Sequence, residues 1–409
     1  MKKSRLLAYA RLLARVGINI EKGQSVTIHA ALDQPEFVAM LTEECYKAGA
    51  SRVRVEWNYQ PLTKSHVRHL SAKALGTVEN WELEKAKWNA DNLPCGIFLI
   101  SDDPDGLKGV NIQKMAKGSQ LRHQVLKPYQ DAMEGKYQWC VAAVPGKAWA
   151  KKVFPGIRAS QAVEKLWEAI LSASRVKEGE DPISAWQAHN AELKALCDKL
   201  NKIAPVELRY RASNGTDFRV GMIPEAEFKG GKDLSLTGHS FNANIPSEEI
   251  FISPKKGQAE GIVYASMPLS YQGQLIRNFS IRFACGKATE VHAEEGEELL
   301  KQMISMDEGA CYLGECALVP YKSPIRESGL LFYETLFDEN AACHLALGSG
   351  YIDTLKDYGN YSLEECRELG INDSMIHTDF MIGTEDLDID AVKADGATIP
   401  IFRKGNWVI

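Results

Sequence analysis

Four segments in the second half of the chain gather carboxylates and imidazoles among apolar or glycine-rich neighbours. They are Ile245-Pro-Ser-Glu248-Glu249-Ile-Phe251, Leu313-Gly-Glu315-Cys-Ala-Leu-Val319, Asp338-Glu-Asn-Ala-Ala-Cys-His344 and Met375-Ile-His377-Thr-Asp379-Phe-Met-Ile382. A carboxylate flanked by residues that favour burial loses hydration, so a partner, hydrogen bonds or a metal must compensate it. His377-Thr-Asp379 is the most informative: on a strand the period of two turns both ligand-type side chains to one face, and Thr378 and Phe380 to the other. Glu315 is expected in a similar short apolar strand, and His344 on a helix entered at Asp338 to Asn340. Each residue taken alone reads better as a satisfied core histidine or a surface carboxylate, and the His-x-Asp pattern by itself is weak. Together, Glu249, Glu315, His344, His377 and Asp379 supply three carboxylates and two imidazoles. That set suits two divalent ions roughly 3.5–4 Å apart that share a bridging carboxylate and a bridging water, which is hydrolytic chemistry. Oxygen and nitrogen ligands without thiolate suit zinc, cobalt, manganese or magnesium rather than a closed structural zinc site. Glu339 is read as a helix-start acid more than a ligand, and Cys316 and Cys343 as packing residues beside the ligands.

The elements that must position these groups fall into two parts. In the first half, Ser25-Val-Thr-Ile-His29, the alternation of Val53, Val55 and Trp57, Gly96-Ile-Phe-Leu-Ile100 and Trp139-Cys-Val-Ala-Ala-Val144 read as strands separated by helical lengths. This spacing implies βαβ units and a mainly parallel sheet. Asp33-Gln-Pro-Glu36 reads as a helix start with Asp33 as cap, and Gly49 as its end. Leu6, Tyr9, Leu13 and Val16 fall at helical spacing and predict an amphipathic first helix on the domain surface. A helical stretch from Ala159 to Ile203 precedes a change of character, because Val206–Tyr210 and Asp217–Val220 flank an Asn214-Gly215 hairpin turn. Strands over Gly261–Ala265 and Leu275–Phe283 and a helix over Glu294–Ile304 follow. The expected architecture is therefore an α/β domain over 1–203 and an α+β domain over 204–409 that carries the metal site.

A chain of 409 residues is long enough for two cores. With 45% hydrophobic and 25% charged residues it has the composition of a globular protein. A net charge of -6 gives no sign of nucleic-acid binding, and no apolar stretch approaches the ~20 residues of a membrane span. Nine scattered cysteines, with no Cys-x-x-Cys pair, point to reduced thiols and a cytoplasmic setting. No phosphate loop, Gly-x-Ser-x-Gly elbow or His-Glu-x-x-His occurs, and Gly348-Ser-Gly350 lacks the third glycine of a dinucleotide fingerprint. Asp386-Leu-Asp-Ile-Asp390 resembles the start of a calcium loop, but Ala391 occupies the glycine position, so a turn or solvated strand face is expected.

The second domain resembles the M29 metallopeptidases, the group of aminopeptidases T, S and II. The resemblance runs through Asp307-Glu-Gly-Ala310, Leu313–Pro320, Ser323-Pro-Ile325, Thr335–Ala342 and Met381-Ile-Gly383 to Phe402-Arg-Lys-Gly-Asn-Trp-Val408. Ser247 and Phe380 stand where threonine and tryptophan are common in the family; neither is a ligand position. The resemblance implies a homodimeric exopeptidase that uses two divalent cations on peptides with a free amino terminus. It maps the family's metal ligands onto Glu249, Glu315, His344, His377 and Asp379, and its active-site tyrosine onto Tyr351. Glu248, directly before Glu249, is the candidate general base, and Tyr351 a hydrogen-bond donor to the oxyanion. The alternatives are another dinuclear hydrolase, such as a phosphoesterase or amidase, and a binding protein stabilised by its metal.

Overall fold

The apolar runs of the first half pair as parallel strands. In the computed structural model, which describes residues 1–409, the strands Arg52–Asn58, Ser25–Ala31, Cys95–Ile100, Trp139–Ala143 and Asn244–Ile245 lie side by side in that order. Every neighbouring pair is parallel. The last strand is two residues long and comes from far later in the chain, too short for any periodicity to announce it. The helix Pro35–Ala48 begins with Pro35 and ends at Gly49, whose φ of 117° suits glycine. Its cap is Gln34 and not the expected Asp33. The Gln34 amide instead donates to Ser101 Oγ at 2.7 Å and to the Pro145 carbonyl at 3.2 Å, so that side chain binds sheet loops and does not close the helix. The first helix, Lys3–Leu12, runs into a wider π-helical turn over Leu13–Gly17; Tyr9 and Leu13 are buried, and Leu6 and Val16 half-buried.

Two compact units result. The first comprises Met1–His189, Lys232–Pro246 and Gln272–Gln274; the second comprises Asn190–Gly231, Ser247–Tyr271 and Leu275–Ile409. The helix Pro182–Ile203, at whose end the expected division lies, gives residues to both.

The second unit is mixed and mainly antiparallel. The hairpin turn at Asn214-Gly215 joins Glu207–Arg211 to Asp217–Met222, and this pair is central to a nine-stranded sheet. The expected strands after Gly261 and Leu275 lie inside Pro254–Tyr264 and Gln274–Ala284. The following helix, Glu297–Ile304, starts later than expected because the strand Lys287–Glu295 continues through Glu294. Asp388 and Asp390 lie on a strand; Asp388 accepts the Lys404 N–H at 3.0 Å and Asp390 pairs with Arg403, so these acids already have partners within the sheet. A second sheet has four strands in the order Ile250–Ile252, Leu313–Leu318, His344–Gly348, Tyr351 lying just past the third, and His377–Met381. No helix is long and apolar enough to cross a membrane.

Candidate metal centre

The four-stranded sheet aligns the acidic and imidazole residues by register. Directly opposed residues of antiparallel strands share a face. Glu315 opposes Ala346, which opposes Asp379; Gly348 opposes His377; Ala317 opposes both His344 and Phe251. One face therefore carries Glu315, His344, His377 and Asp379, spaced by the small residues Ala317, Ala346 and Gly348. The other face carries Cys316, Leu318, Leu345, Leu347, Thr378 and Phe380, and all six are buried. Small side chains between the acids leave a hollow that larger ones would fill. Gly348 is required for a further reason: its φ is +105°, and a Cβ there would meet the Ile376 carbonyl oxygen at 2.0 Å.

His344 opens a strand; the expected helix ends before it. A short helix over Thr335–Asp338 and a 3₁₀ turn over Glu339–Ala341 stop at Ala342, which is extended. The expected helix entered at Asp338 to Asn340 does not reach His344, because pairing with both Leu313–Leu318 and His377–Met381 pulls His344 into the sheet. Glu339 stands at the start of the 3₁₀ turn, buried, and shares a hydrogen bond with Asp379.

The strand His377–Met381 is clamped where it enters the sheet. Asp307 accepts the N–H groups of Gly309, Ala310 and Met375 and the hydroxyl of Ser374. Asn372 donates to the carbonyls of Gly309 and Gly348 at 2.8 and 2.6 Å. Tyr351 donates its backbone N–H to Ser253 Oγ at 2.8 Å, and its ring packs edge-on against Phe251.

Both histidines face the same way chemically. The Nδ1 of His377 lies 2.7 Å from the Ser349 carbonyl, and the Nδ1 of His344 lies 3.1 Å from the Ala342 carbonyl. A carbonyl only accepts, so each Nδ1 carries a proton and each ring turns its Nε2 inward, the atom that would offer its lone pair to a bound cation. The inward partners are Tyr351 Oη at 3.2 Å, Glu315 Oε2 at 3.1 Å and Asp379 Oδ1 at 3.3 Å for His377, and Glu249 Oε2 at 3.1 Å for His344. Facing these carboxylates, each Nε2 holds either a proton or a cation. Asp379 Oδ1 is buried without a hydrogen-bond partner. The oxygen and nitrogen atoms fall into two overlapping groups, Glu249, Glu315 and His344, and Glu315, His377 and Asp379; within each group the ligand atoms lie within 4.8 Å of one another.

The electrostatics agree. Burial, then the charges of Asp379 and Glu249, lifts the Glu315 carboxyl to about 7 against the pull of His377. Burial, then Asp379, Glu249 and Glu315, holds Glu339 well above the usual carboxylate range. Burial alone would lower His344, yet the hydrogen bond to Glu249 and the surrounding charges raise it to about 9. Burial likewise opposes the charge on His377, and Asp379 and Glu315 overcome it. Burial opposes the ionisation of Asp379, but His377 and His344 bring its carboxyl down to about 2. The raised Glu315 and Glu339 carboxyls mark a site crowded with acids, and buried carboxylates with two inward-facing Nε2 atoms fit divalent cations.

The structure thus brings together all five residues expected as ligands, and Tyr351 with them. Glu248 is buried, and its backbone N–H donates to Asn340 Oδ1 at 2.6 Å. Cys316 is buried on the far face, and Cys343 exchanges hydrogen bonds with the Val319 backbone, so both pack as expected. Asp307, Asn340 and Asn372 were not singled out from the sequence; the only available signal was that polar residues sit among residues that bury.

The comparisons with known proteins agree with this geometry. The family model described as thermophilic metalloprotease (M29) matches residues 2–407. The chain is 39% identical over 404 residues to aminopeptidase AmpS of Bacillus subtilis (strain 168), covering 98% of each chain. It is 40% identical over 400 residues to aminopeptidase 2 of Geobacillus stearothermophilus, covering 98% of this chain and 96% of that one. The solved structure of wild-type AmpT from Thermus thermophilus superposes with a TM-score of 0.89 at 36% identity, covering all of both chains. With the match spanning nearly every residue, the chain belongs to the M29 family of metalloproteases.

Proposed function

We propose that the protein is an aminopeptidase that removes the first residue of peptides with a free amino terminus, with two divalent cations held by Glu249, Glu315, His344, His377 and Asp379. The observation that carries this reading is the sharing of Glu315 between two triads of ligand atoms, so that Glu315 could serve both ions. Divalent ions at such a site supply Lewis acidity, polarising the scissile carbonyl and acidifying a water for attack. Zinc, cobalt, manganese and magnesium all accept this oxygen and nitrogen donor set.

The chain's own residues do the rest. Glu248 takes the proton from the attacking water and delivers it to the leaving amine. Tyr351, whose hydroxyl reaches His377 Nε2 at 3.2 Å, donates a hydrogen bond to the oxygen that gains charge. The backbone carbonyls of Ser349 and Ala342 hold both imidazoles in the tautomer that presents Nε2. The nine cysteines are unpaired, which supports a reducing, cytoplasmic setting. The likeness to the M29 aminopeptidases supports a homodimer.

The test is release of the first amino acid from a short peptide and from its N-acetylated form, before and after chelation and re-addition of cobalt or zinc. Cleavage of the free peptide alone, lost on chelation and restored by the ion, is expected. Equal cleavage of both forms would remove the aminopeptidase reading.

A further inference from the structure

Asn340 is fully buried in the 3₁₀ turn Glu339–Ala341, and its side-chain amide makes contacts in two directions. Its Oδ1 accepts the Glu248 N–H at 2.6 Å. Its Nδ2 donates to the Leu336 carbonyl at 2.9 Å and to Glu339 Oε1 at 3.3 Å. An amide facing an N–H on one side and two acceptors on the other has one workable orientation, so the group is fixed in direction as well as place.

We propose that Asn340 is a positioning residue for the metal centre. It ties the backbone of the Glu248-Glu249 segment to the carboxylate of Glu339, so that groups 92 residues apart in sequence converge on one sheet face. The inference rests on the reading of this cluster as a metal centre. Asn340 touches no reacting group itself and acts through Glu248, Glu249 and Glu339. The Glu248-Glu249 segment precedes its strand, and the Asn340 amide holds its backbone from outside the sheet ladder. Buried Glu339, which also bonds Asp379, receives the Asn340 Nδ2–H at Oε1.

Only an amide satisfies both sides. Asn340→Asp keeps the shape and the acceptor for the Glu248 N–H, but turns a second oxygen against the Leu336 carbonyl and Glu339. It also adds an acid to a pocket that already holds Glu249, Glu315, Glu339 and Asp379. Asn340→Ala leaves the buried Glu248 N–H and the Glu339 oxygen unpaired.

The experiment is competition between the full-length protein and a chelator for zinc and for cobalt, on wild type, Asn340→Asp and Asn340→Ala, together with kcat and KM on an unmodified dipeptide amide. Loss of a residue that orients ligands costs about 10–100-fold in metal affinity. That loss is expected in both variants, with kcat of the ion-saturated enzyme falling more than KM rises. Variants with a lower Tm in the chelated state, but wild-type metal affinity and wild-type kcat once saturated, would make Asn340 a fold residue only and overturn the proposal. If Asn340→Asp does not fold, Asn340→Ser, which keeps an oxygen acceptor, gives the same reading. Wild-type protein that binds neither ion would overturn the metal-centre reading and this inference with it. Wild type that binds both ions, beside variants of unchanged affinity, would overturn the role of Asn340 alone.

Discussion

Two regions of this protein gather acids, and they do so on opposite terms. At the carboxyl ends of the parallel strands, Asp33, Asp102 and Asp103 line a crevice of about 270 Å³, the place where open α/β sheets commonly bind ligands. At the four-stranded sheet, Glu315 and Asp379 on one face are joined by Glu249 and Glu339 from flanking segments, and all four are buried. The crevice acids are met by ordinary partners. Ser101 Oγ lies 3.5 Å from Asp33, Asp103 accepts the Asp105 N–H at 3.0 Å, and Lys152 pairs with Asp105 at 2.7 Å. Asp33 and Asp102 are also exposed, so water screens them, although partial desolvation and the charges of Asp33 and Asp103 still raise Asp102. The sheet-face acids are buried, and the groups that meet them are the Nε2 atoms of His344 and His377. An acid cluster reads as a metal centre when it is buried and imidazole nitrogens converge on it. A fold-level crevice is not enough.

The comparison breaks first at the strand that supplies two donors to one point. His377→Ala or Asp379→Ala should take activity down to the level of the chelated protein and reduce bound metal per chain, measured by elemental analysis beside a peptidase assay. Full metal content with near-normal turnover in either variant would move the centre elsewhere.

The adjacent glutamates sharpen it next. Glu249→Gln removes a charged donor and should lose metal, whereas Glu248→Gln should retain metal and bind substrate while turnover falls ~10²–10⁴-fold, as for a missing acid–base group. Near-normal kcat in Glu248→Gln with full metal would pass the proton-transfer role to another carboxylate of the cluster, such as Glu315.

The smallest effect is expected in the crevice. Asp33→Asn and Asp102→Asn should change metal content and kcat by less than about twofold and stability by no more than ~0.5 kcal/mol, since both side chains are exposed. Loss of bound metal in either would erase the distinction between the two regions.

Much of this was legible in the residues. The period-two spacing of His377 and Asp379, the buried setting of Glu315 and the parallel strands of the first unit follow from local patterning, because side-chain alternation and apolar runs are short-range properties. The helix cap failed locally as well as globally: Gln34 replaced Asp33 because the Gln34 side chain is engaged by Ser101 and Pro145, far along the chain. His344 was misread as helical because Thr335–Ala341 is helical and nothing local marks where pairing with two distant strands begins.

The sequence by itself determined which donors are available, that thiolates are not among those set on the ligand-bearing face, and that two of the donors point the same way. Tertiary structure alone decided that Glu315 belongs to both triads, that Ala346 separates it from Asp379, that Glu339 joins them, and that Asn340 faces Glu248. Each of these depends on strand register or on contacts between segments distant in sequence. A shift of one residue in register would turn Glu315, Ala346 or Asp379 to the opposite face, and that register is set by the packing of the whole sheet.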